Sequence, residues 1–334
     1  MNSLSLGDLA QSFAQQRRSV AIRENMARLT QELSSGQVAD VRQVLGGNTS
    51  YMTGIERSLD VLSAFSIANT EASQFAGGMQ LALERVQDVT GQIANDLITS
   101  GAQSFGVLAG APSDSAQAQL DTIINVLNGT VAGRSLFAGQ ATDRAPLASA
   151  EVLLDGVRTA VAGQTTPEDI RTAAQAWFDD PAGFVATMYS GADTALEPFQ
   201  LSENDRIALT TTADDPAFRV LMRDLAVAAL ADDPALGLSR ADQVDLFKLT
   251  GTGLLSSQNQ LTDVRARIGF AEQRIEDVSA RNAAEKTGLE YAKGALLSVD
   301  PFEVATRLEE AQIQLQSLYS ATVRTSQLSL VNFL

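Results

Sequence analysis

The clearest hydrophobic pattern lies between residues 241 and 298, where large apolar side chains recur every seven positions. The series is interrupted by Asn282 and resumes at Leu289, and a second series follows three positions behind it. The first series consists of Phe247, Leu254, Leu261, Ile268 and Ile275, and the second of Val264, Ala271 and Val278. A sustained heptad repeat predicts a long helix packed against a partner helix.

A second long helix is predicted at about residues 53–107. Its apolar stripe has two parts, Ile55, Leu59, Leu62 and Ser66, then Met79, Leu83, Val86, Ile93 and Leu97. Gly77-Gly78 separates the parts and costs about 1 kcal/mol per glycine, so we expect a bend or a weak point there. Each long helix would measure roughly 80–90 Å. Because the chain must reverse between two helices of similar length, the sequence predicts an antiparallel pair.

Shorter helices are predicted at both ends of the chain. The first, at about 5–34, carries Leu9, Phe13 and Val20 and then a second set slightly out of phase, so the stripe should drift around the helix. The second set is Ile22, Met26, Leu29 and Leu33. Gly36 should end this helix, and an extended linker should follow at 37–50. The last helix should begin at Asp300-Pro301 and carry Val304, Leu308, Ala311, Leu315 and Leu318.

The middle of the chain, about 141–240, differs in character. Asp-Asp-Pro-Ala occurs three times, at 179–182, 214–217 and 232–235. Asp before Pro is an ordinary helix start, and this interpretation is stronger than a metal site because the other ligands of a calcium loop are missing. Short strands are predicted at 188–190, 197–201 and 206–212, and a helix capped by Ser113 or Asp114 should precede them at 114–128.

These elements predict a mainly α fold, an elongated antiparallel helical rod with a small inserted α+β head. The expected domains are 1–48 with 300–334 as a terminal helical domain, 49–140 with 241–299 as the rod, and 141–240 as the head.

Both ends of the chain are unusually apolar for termini, which are commonly polar and frayed. Burying one Leu or Phe side chain is worth about 1.5–3 kcal/mol, and one isolated subunit offers these ends little to pack on. We therefore predict an interface between copies that would repeat into a ring or helical tube. The alternative is a monomeric bundle that tucks its ends onto its own core. The predicted interface residues are Leu4, Leu6, Leu9, Phe13, Leu315, Leu318, Leu328, Leu330, Val331, Phe333 and Leu334.

Composition narrows the functional classes. The net charge is −16, which disfavours nucleic acid and anionic membrane surfaces as partners, and the chain has no cysteine or histidine. Thiol nucleophiles, Ser-His-Asp triads and thiolate zinc sites are therefore excluded. No phosphate-binding loop follows a convincing strand, and Gly251-Thr252-Gly253 falls inside the heptad helix. We expect a protein that is not an enzyme and needs no catalytic residue, cofactor or metal.

Three stretches resemble the flagellin superfamily of bacterial axial proteins. They are LTQELSSGQ at 29–37, GRSLFAGQATDRAPL at 133–147 and LSLVNFL at 328–334. Within that superfamily the chain looks more like the hook–filament junction proteins than the filament flagellins. Positions 37–50 lack the stretch that usually follows the first flagellin helix, and the end of the chain lacks the arginine common in flagellins.

The resemblance implies a structural part of the bacterial flagellum that joins the hook, through the first hook-associated protein, to the flagellin filament. It implies export by the flagellar type III apparatus without a cleaved signal, and an export chaperone on the last helix. The GRSLFAGQATDRAPL stretch would be a turn near the outer end of the rod, either as a hairpin that only packs or as a direct contact. Flagellin itself is the alternative function, followed by a secreted coiled-coil adhesin or effector.

Overall fold

The computed structural model describes residues 3–44, 49–102 and 111–331, and side chains at 10–11, 13–42, 49–100 and 111–324. The described chain is mainly helical, as predicted. Its helices are α1 (Ser3–Ser35), α2 (Val41–Val44), α3 (Ser50–Ala102), α4 (Ala111–Leu127), α5 (Ala150–Ala160), α6 (Pro167–Asp179), α7 (Ala186–Met188), α8 (Pro216–Ala229), α9 (Arg240–Leu297) and α10 (Pro301–Val331). None of these helices is long and apolar enough to cross a membrane within the described residues.

Two small antiparallel hairpins accompany the helices. Strands β1 (Thr130–Val131) and β2 (Arg134–Ser135) form the first, and β3 (Phe199–Gln200) and β4 (Arg206–Ile207) form the second. The second hairpin lies within the strands predicted at 197–201 and 206–212. The strand predicted at 188–190 is reduced to one bridge between Leu147 and Tyr189.

The chain divides into two compact units. One comprises Met1–Leu62 with Ala284–Leu334, and the other Ser63–Ala283. The second unit contains a continuous hydrophobic core that includes the heptad residues of α9, and Leu254, Leu261 and Val278 have no exposed surface. The predicted heptad face is therefore the buried face of α9.

Within this second unit α3 and α9 run antiparallel, as predicted. The side-chain amide of Gln80 donates to the carbonyl of Arg265 at 2.9 Å, and that of Gln258 donates to the carbonyl of Gln87 at 3.0 Å. Residue numbers thus rise along one helix as they fall along the other.

Glycines in α3 and α9 allow neighbouring elements to pack closely against these two helices. Helix α3 continues through Gly77-Gly78 without a break, and the bend or weak point expected there stays a prediction. A Cβ at position 78 would lie 2.6 Å from Cγ2 of Val131, so glycine lets the first hairpin pack directly on α3. Likewise a Cβ on Gly251 would lie 2.8 Å from Cγ1 of Ile98.

The repeated Asp-Asp-Pro-Ala motif caps helices, as predicted. The carboxylates of Asp180, Asp215 and Asp233 accept backbone N–H bonds from the residue two positions later, at 2.9, 3.0 and 2.9 Å. Each following proline occupies the first turn, where no N–H partner is needed.

Two local predictions were wrong. Residues 41–44 form the short helix α2 inside the predicted extended linker. Helix α4 begins at Ala111, before the predicted caps, and the hydroxyl of Ser113 donates to the carbonyl of Ala228 at 3.1 Å. A capping residue must use its side chain on its own helix, whereas Ser113 links α4 to the end of α8.

Candidate assembly surface

The terminal helices α1 and α10 pack on each other through an apolar seam in the first unit. The centre of the seam is Leu29, Val304 and Ala311, which are buried, and Ile22, Met26, Val299 and Leu308 flank it. The seam residues of α10 follow spacings of four and three, so they form one helical face. The predicted stripe at Val304, Leu308 and Ala311 is therefore the face that contacts α1.

The two helices of this pair are antiparallel. Gln15 of α1 lies near Thr322 of α10, with 3.5 Å between the amide oxygen and the hydroxyl. At the other end Gln37 forms a β-bridge with Ser298.

A short two-stranded contact closes that end of the pair. The N–H of Val38 donates to the carbonyl of Leu297 at 2.9 Å, and the N–H of Val299 donates to Gly36 at 3.1 Å. Gly36 has φ +69°, a conformation that glycine adopts without strain, so the predicted glycine end of α1 is confirmed.

The carboxylate of Glu32 holds the turn after α1. Its Oε1 accepts the N–H of Ala39 at 3.1 Å and a guanidinium N–H of Arg28 at 3.2 Å, and the residue is only 5% exposed. A buried carboxylate needs such donors, so this interaction fixes the path of the chain as it leaves α1.

Helix α1 has a second apolar face that points away from the seam. Val20 lies two residues before Ile22, which places it about 200° around the helix, and Phe13 lies two turns before Val20 on the same side. Phe13 is 59% exposed and Val20 44%. The prediction of one drifting stripe is therefore wrong, because these residues form two opposite faces.

Helix α10 repeats this arrangement. Phe302 and Ile313 each lie two residues from a seam residue, Val304 and Ala311, so they occupy the opposite side of the helix. Phe302 is 86% exposed and Ile313 63%. We call Phe13 and Val20 the α1 outer face, and Phe302 and Ile313 the α10 outer face.

Charged side chains border the two outer faces. On α1, Arg17 lies between Phe13 and Val20, four and three residues from them, and Glu24 lies four residues after Val20. On α10, Glu309 and Glu310 lie four and three residues before Ile313. All four charged side chains are exposed, and none forms an ion pair with another described residue.

The predicted interface residues fall into three groups. Phe13 is exposed, and Leu315 and Leu318 are half-buried toward the seam side of α10. The backbones of the second group are helical, in α1 or α10, and their side chains lie outside the described part: Leu4, Leu6, Leu9, Leu328, Leu330 and Val331. Phe333 and Leu334 lie outside the described residues. As interface residues, all of these remain predictions.

The predicted interface did not include three of the exposed residues that form the outer faces, namely Val20, Phe302 and Ile313. The signal that could have found the last two is their separation of eleven residues, about three helical turns. A search for a single stripe passes over them because the stronger seam pattern lies on the other side of the same helix.

In the second unit, polar side chains link the β3–β4 hairpin to α9. Asp205 pairs with Arg281 at 3.0 Å and with Arg274, and the amide of Asn282 donates to the carbonyl of Leu201 at 2.8 Å. The hydrogen bond from the Ser202 hydroxyl, together with the two arginines, lowers the pKa of the Asp205 carboxyl. Asn282, the polar residue that interrupts the heptad series, thus attaches the β3–β4 hairpin to α9.

The described residues contain no group of three or more acidic side chains that could hold a metal ion.

Comparisons with known proteins identify one region of the chain. Residues 254–334 match the family described as the bacterial flagellin C-terminal helical region, which confirms the flagellin resemblance over most of α9 and all of α10. No curated protein matches the chain significantly. A solved structure from Vibrio parahaemolyticus, described provisionally as a flagellar hook-associated protein, is 12% identical with a TM-score of 0.47 over 74% of this chain and 96% of that one. Those values are too low to assign a function.

Proposed function

We propose that this chain, whose residues 254–334 match the bacterial flagellin C-terminal helical region, is a structural subunit of the flagellum at the junction between hook and filament. The family match supports the flagellar structural role. The hook–filament position rests on the sequence features at 37–50 and 328–334 that separate the chain from filament flagellins.

The observation that carries the proposal is the double-sided character of the terminal helices. A surface helix of a monomer needs one apolar face, the one that meets the core. Here each terminal helix meets its partner with one face and exposes large apolar side chains on the other, Phe13 on α1 and Phe302 and Ile313 on α10. Such faces fit helices that are packed on both sides in an assembly.

The charges suggest how neighbouring subunits pair. The α1 outer face carries Arg17 between its two apolar residues and Glu24 beyond Val20, and the α10 outer face carries Glu309 and Glu310, so Arg17 can meet one of these two glutamates. The α1 outer face of one subunit can therefore pack on the α10 outer face of the next, with apolar side chains at the centre and opposite charges at the border. A contact between different faces repeats into a ring or helical layer. Burying the two faces would contribute on the order of 5 kcal/mol before ordering costs are subtracted.

The other partners follow from the same position. The subunit would contact the first hook-associated protein on one side and flagellin on the other. An export chaperone would cover α10 before secretion, and export to the cell exterior would need no cleaved signal. In this arrangement 1–48 with 300–334 forms the axial core, 49–140 with 241–299 the rod, and 141–240 the head.

The outer faces can be tested by substitution. Phe13→Gln with Ile313→Gln should lower incorporation into flagella by about tenfold or more, because the contact loses apolar area while the seam keeps its residues. Gln312→Ala, an exposed change on α10 that lies about 100° around the helix from Ile313, is the control and should assemble normally. Incorporation is measured by immunoblotting of purified flagella, and folding by circular dichroism. Normal incorporation of the folded double variant would refute the proposed contact.

Filament flagellin is the second candidate, since the matched region is a flagellin region. Deleting the gene and examining the cells by electron microscopy separates the two functions. Hooks without filaments, with flagellin released into the medium, are expected for a junction protein. Hooks that keep their cap and junction proteins, in cells that make no filament subunit, would assign the chain to flagellin instead.

A further inference from the structure

Glycines occupy two different environments along the long helices α3 and α9. In the first unit, a Cβ built on Gly54, Gly288 or Gly294 would meet nothing within 4 Å in the described part of the chain. In the second unit, a Cβ built on any described glycine of the two helices would lie within 4 Å of a neighbouring atom. These glycines are Gly77, Gly78, Gly91, Gly251, Gly253 and Gly269. Packing within the chain therefore accounts for the second set of glycines and leaves the first set unexplained.

The part of α9 that contains Gly288 and Gly294 has no buried side chain. Up to Asn282 the helix buries a side chain every three or four residues, whereas every residue from 283 to 296 is exposed or half-buried. The chain is held again at Leu297, whose carbonyl accepts the N–H of Val38 at 2.9 Å. A helical segment with few buried contacts and solvent-exposed backbone hydrogen bonds opens at a low cost in free energy. Each glycine lowers that cost further, since glycine is roughly fivefold less favourable than alanine in a helix.

The two helices carry unpacked glycines at the same level. Nζ of Lys293 on α9 lies 3.0 Å from Oε1 of Glu56 on α3, so these two residues are neighbours across the pair. Gly294 directly follows Lys293, and Gly54 lies two residues before Glu56. Both helices are therefore weakened at one height, where neither backbone is protected by a packed side chain at the glycine.

We propose that residues 283–296 of α9 form a compliant joint, in which the helix opens locally and bends while the buried heptad part stays rigid. Gly288 and Gly294 set the stiffness of the joint, and Gly54 lets α3 follow the bend. Because the joint works by local opening rather than by a fixed kink, α9 is a continuous helix when the joint is closed. In an assembly, the joint would let the terminal helices settle against neighbouring molecules without straining the core of the second unit.

Hydrogen exchange of the purified full-length chain tests the local opening. Backbone amides at 284–296 should show protection factors at least about tenfold lower than those at 259–282 of the same helix. Gly288→Ala with Gly294→Ala should raise the protection at 284–296 by about tenfold or more, because both substitutions favour the helix. Gly269→Ala, the same substitution in the packed part of α9, is the control and should leave the protection at 284–296 unchanged.

Distances between pairs of spin labels test the bending. The chain has no cysteine, so labels attach only at introduced cysteines. Asp277→Cys with Ala295→Cys spans the joint, and Asn259→Cys with Asp277→Cys is the matched control in the packed part; all three positions are exposed. Both pairs have the same spacing along α9, about 27 Å in a straight helix. The pair across the joint should give the broader distance distribution, and Gly288→Ala with Gly294→Ala should narrow it toward that of the control pair.

Equal protection in the two parts of α9, or equally narrow distributions for the two pairs of labels, would overturn the proposal. So would a joint whose protection and distance distribution do not respond to the alanine substitutions, because the proposal assigns its stiffness to the glycines. The joint does not depend on the proposed function, since both measurements use the chain outside an assembly. Its failure would leave the contact between the outer faces of α1 and α10 to be judged by its own variants.

Discussion

At the scale of single residues, the two aspartates of each Asp-Asp-Pro-Ala motif differ in role, because only the second one caps a helix. In each Asp-Asp-Pro-Ala copy the second aspartate accepts a backbone N–H of the following turn, while the first makes other contacts or none. Asp179, for example, accepts a hydrogen bond from the side chain of Gln175 at 2.7 Å. The cap is thus a property of position relative to proline rather than of acidity.

The capping role predicts that replacing the two adjacent aspartates, Asp179 and Asp180, changes the free energy of unfolding by different amounts. Asp180→Ala should destabilise the second unit by about 0.5–2 kcal/mol, because the N–H of Ala182 loses its acceptor. Asp179→Ala should cost less than about 0.5 kcal/mol, since Asp179 is exposed. Urea unfolding followed by the fluorescence of Trp177, the single tryptophan, measures both. Equal costs would contradict the capping role.

Asp224 predicts a pH effect. It is fully buried beside Arg223, at 2.6 Å, and burial raises the pKa of its carboxyl to about 6. The folded chain therefore holds this proton more tightly than the unfolded chain, whose Asp pKa is about 3.9. As pH rises from about 4 through 6, the contribution of Asp224 to stability becomes less favourable, and above that window it is constant.

Asp224→Asn removes this titration. The free energy of unfolding of the variant, relative to the unsubstituted chain, should rise by about 2–3 kcal/mol between pH 4 and pH 7. Arg223 loses the Asp224 carboxylate at every pH but keeps its hydrogen bond to Gln175, and this loss adds only a constant offset to the free energy of unfolding. Urea unfolding at several pH values, read from Trp177 fluorescence, gives the difference. A difference that does not change with pH would show that the carboxyl does not titrate in this range.

At the scale of elements, glycines in the second-unit parts of the long helices mark where neighbouring elements touch. A Cβ on Gly253 of α9 would lie 2.2 Å from Oδ2 of Asp224 on α8, whereas a Cβ on Gly269 of the same helix would meet only Nε2 of Gln80 at 3.6 Å. Helix propensity treats these two glycines alike, but the packing of α8 distinguishes them.

Gly253→Ala and Gly269→Ala should therefore have opposite effects. Gly253→Ala should destabilise the second unit by about 1–3 kcal/mol, since the new methyl group overlaps a buried side chain. Gly269→Ala should be neutral or stabilising by up to about 1 kcal/mol through helix propensity. Thermal unfolding monitored at Trp177 compares them. A stabilising effect at 253 would show that α8 does not approach α9 this closely.

At the scale of the whole molecule, the outer faces of the terminal helices remain exposed in a single subunit. The chain therefore has one part that forms a buried core and another that offers apolar surface for assembly. The second unit has a continuous buried core, while α1 and α10 carry apolar surface that their own seam does not cover.

Removing residues 325–334 should abolish assembly and leave the second unit folded. The truncated chain should fail to enter flagella, while the second unit stays folded because its described core is built by residues between 72 and 278. Immunoblotting of purified flagella measures incorporation, and the unfolding midpoint read from Trp177 measures folding. The full-length chain carried through the same purification is the control. Normal assembly of the truncated chain would show that its last ten residues are not part of the contact.

The sequence by itself determined the long and terminal helices, the Asp-Pro caps and the heptad face of α9, because these depend on residues a few positions apart. It also indicated the flagellin resemblance, which the match over 254–334 confirms. Only the tertiary structure decided which face of α1 meets α10, that Gly78 admits a hairpin, and that Asn69 is buried without a partner among the described residues. Those features depend on what distant segments bring next to a residue, and periodicity along one helix carries no information about its neighbours.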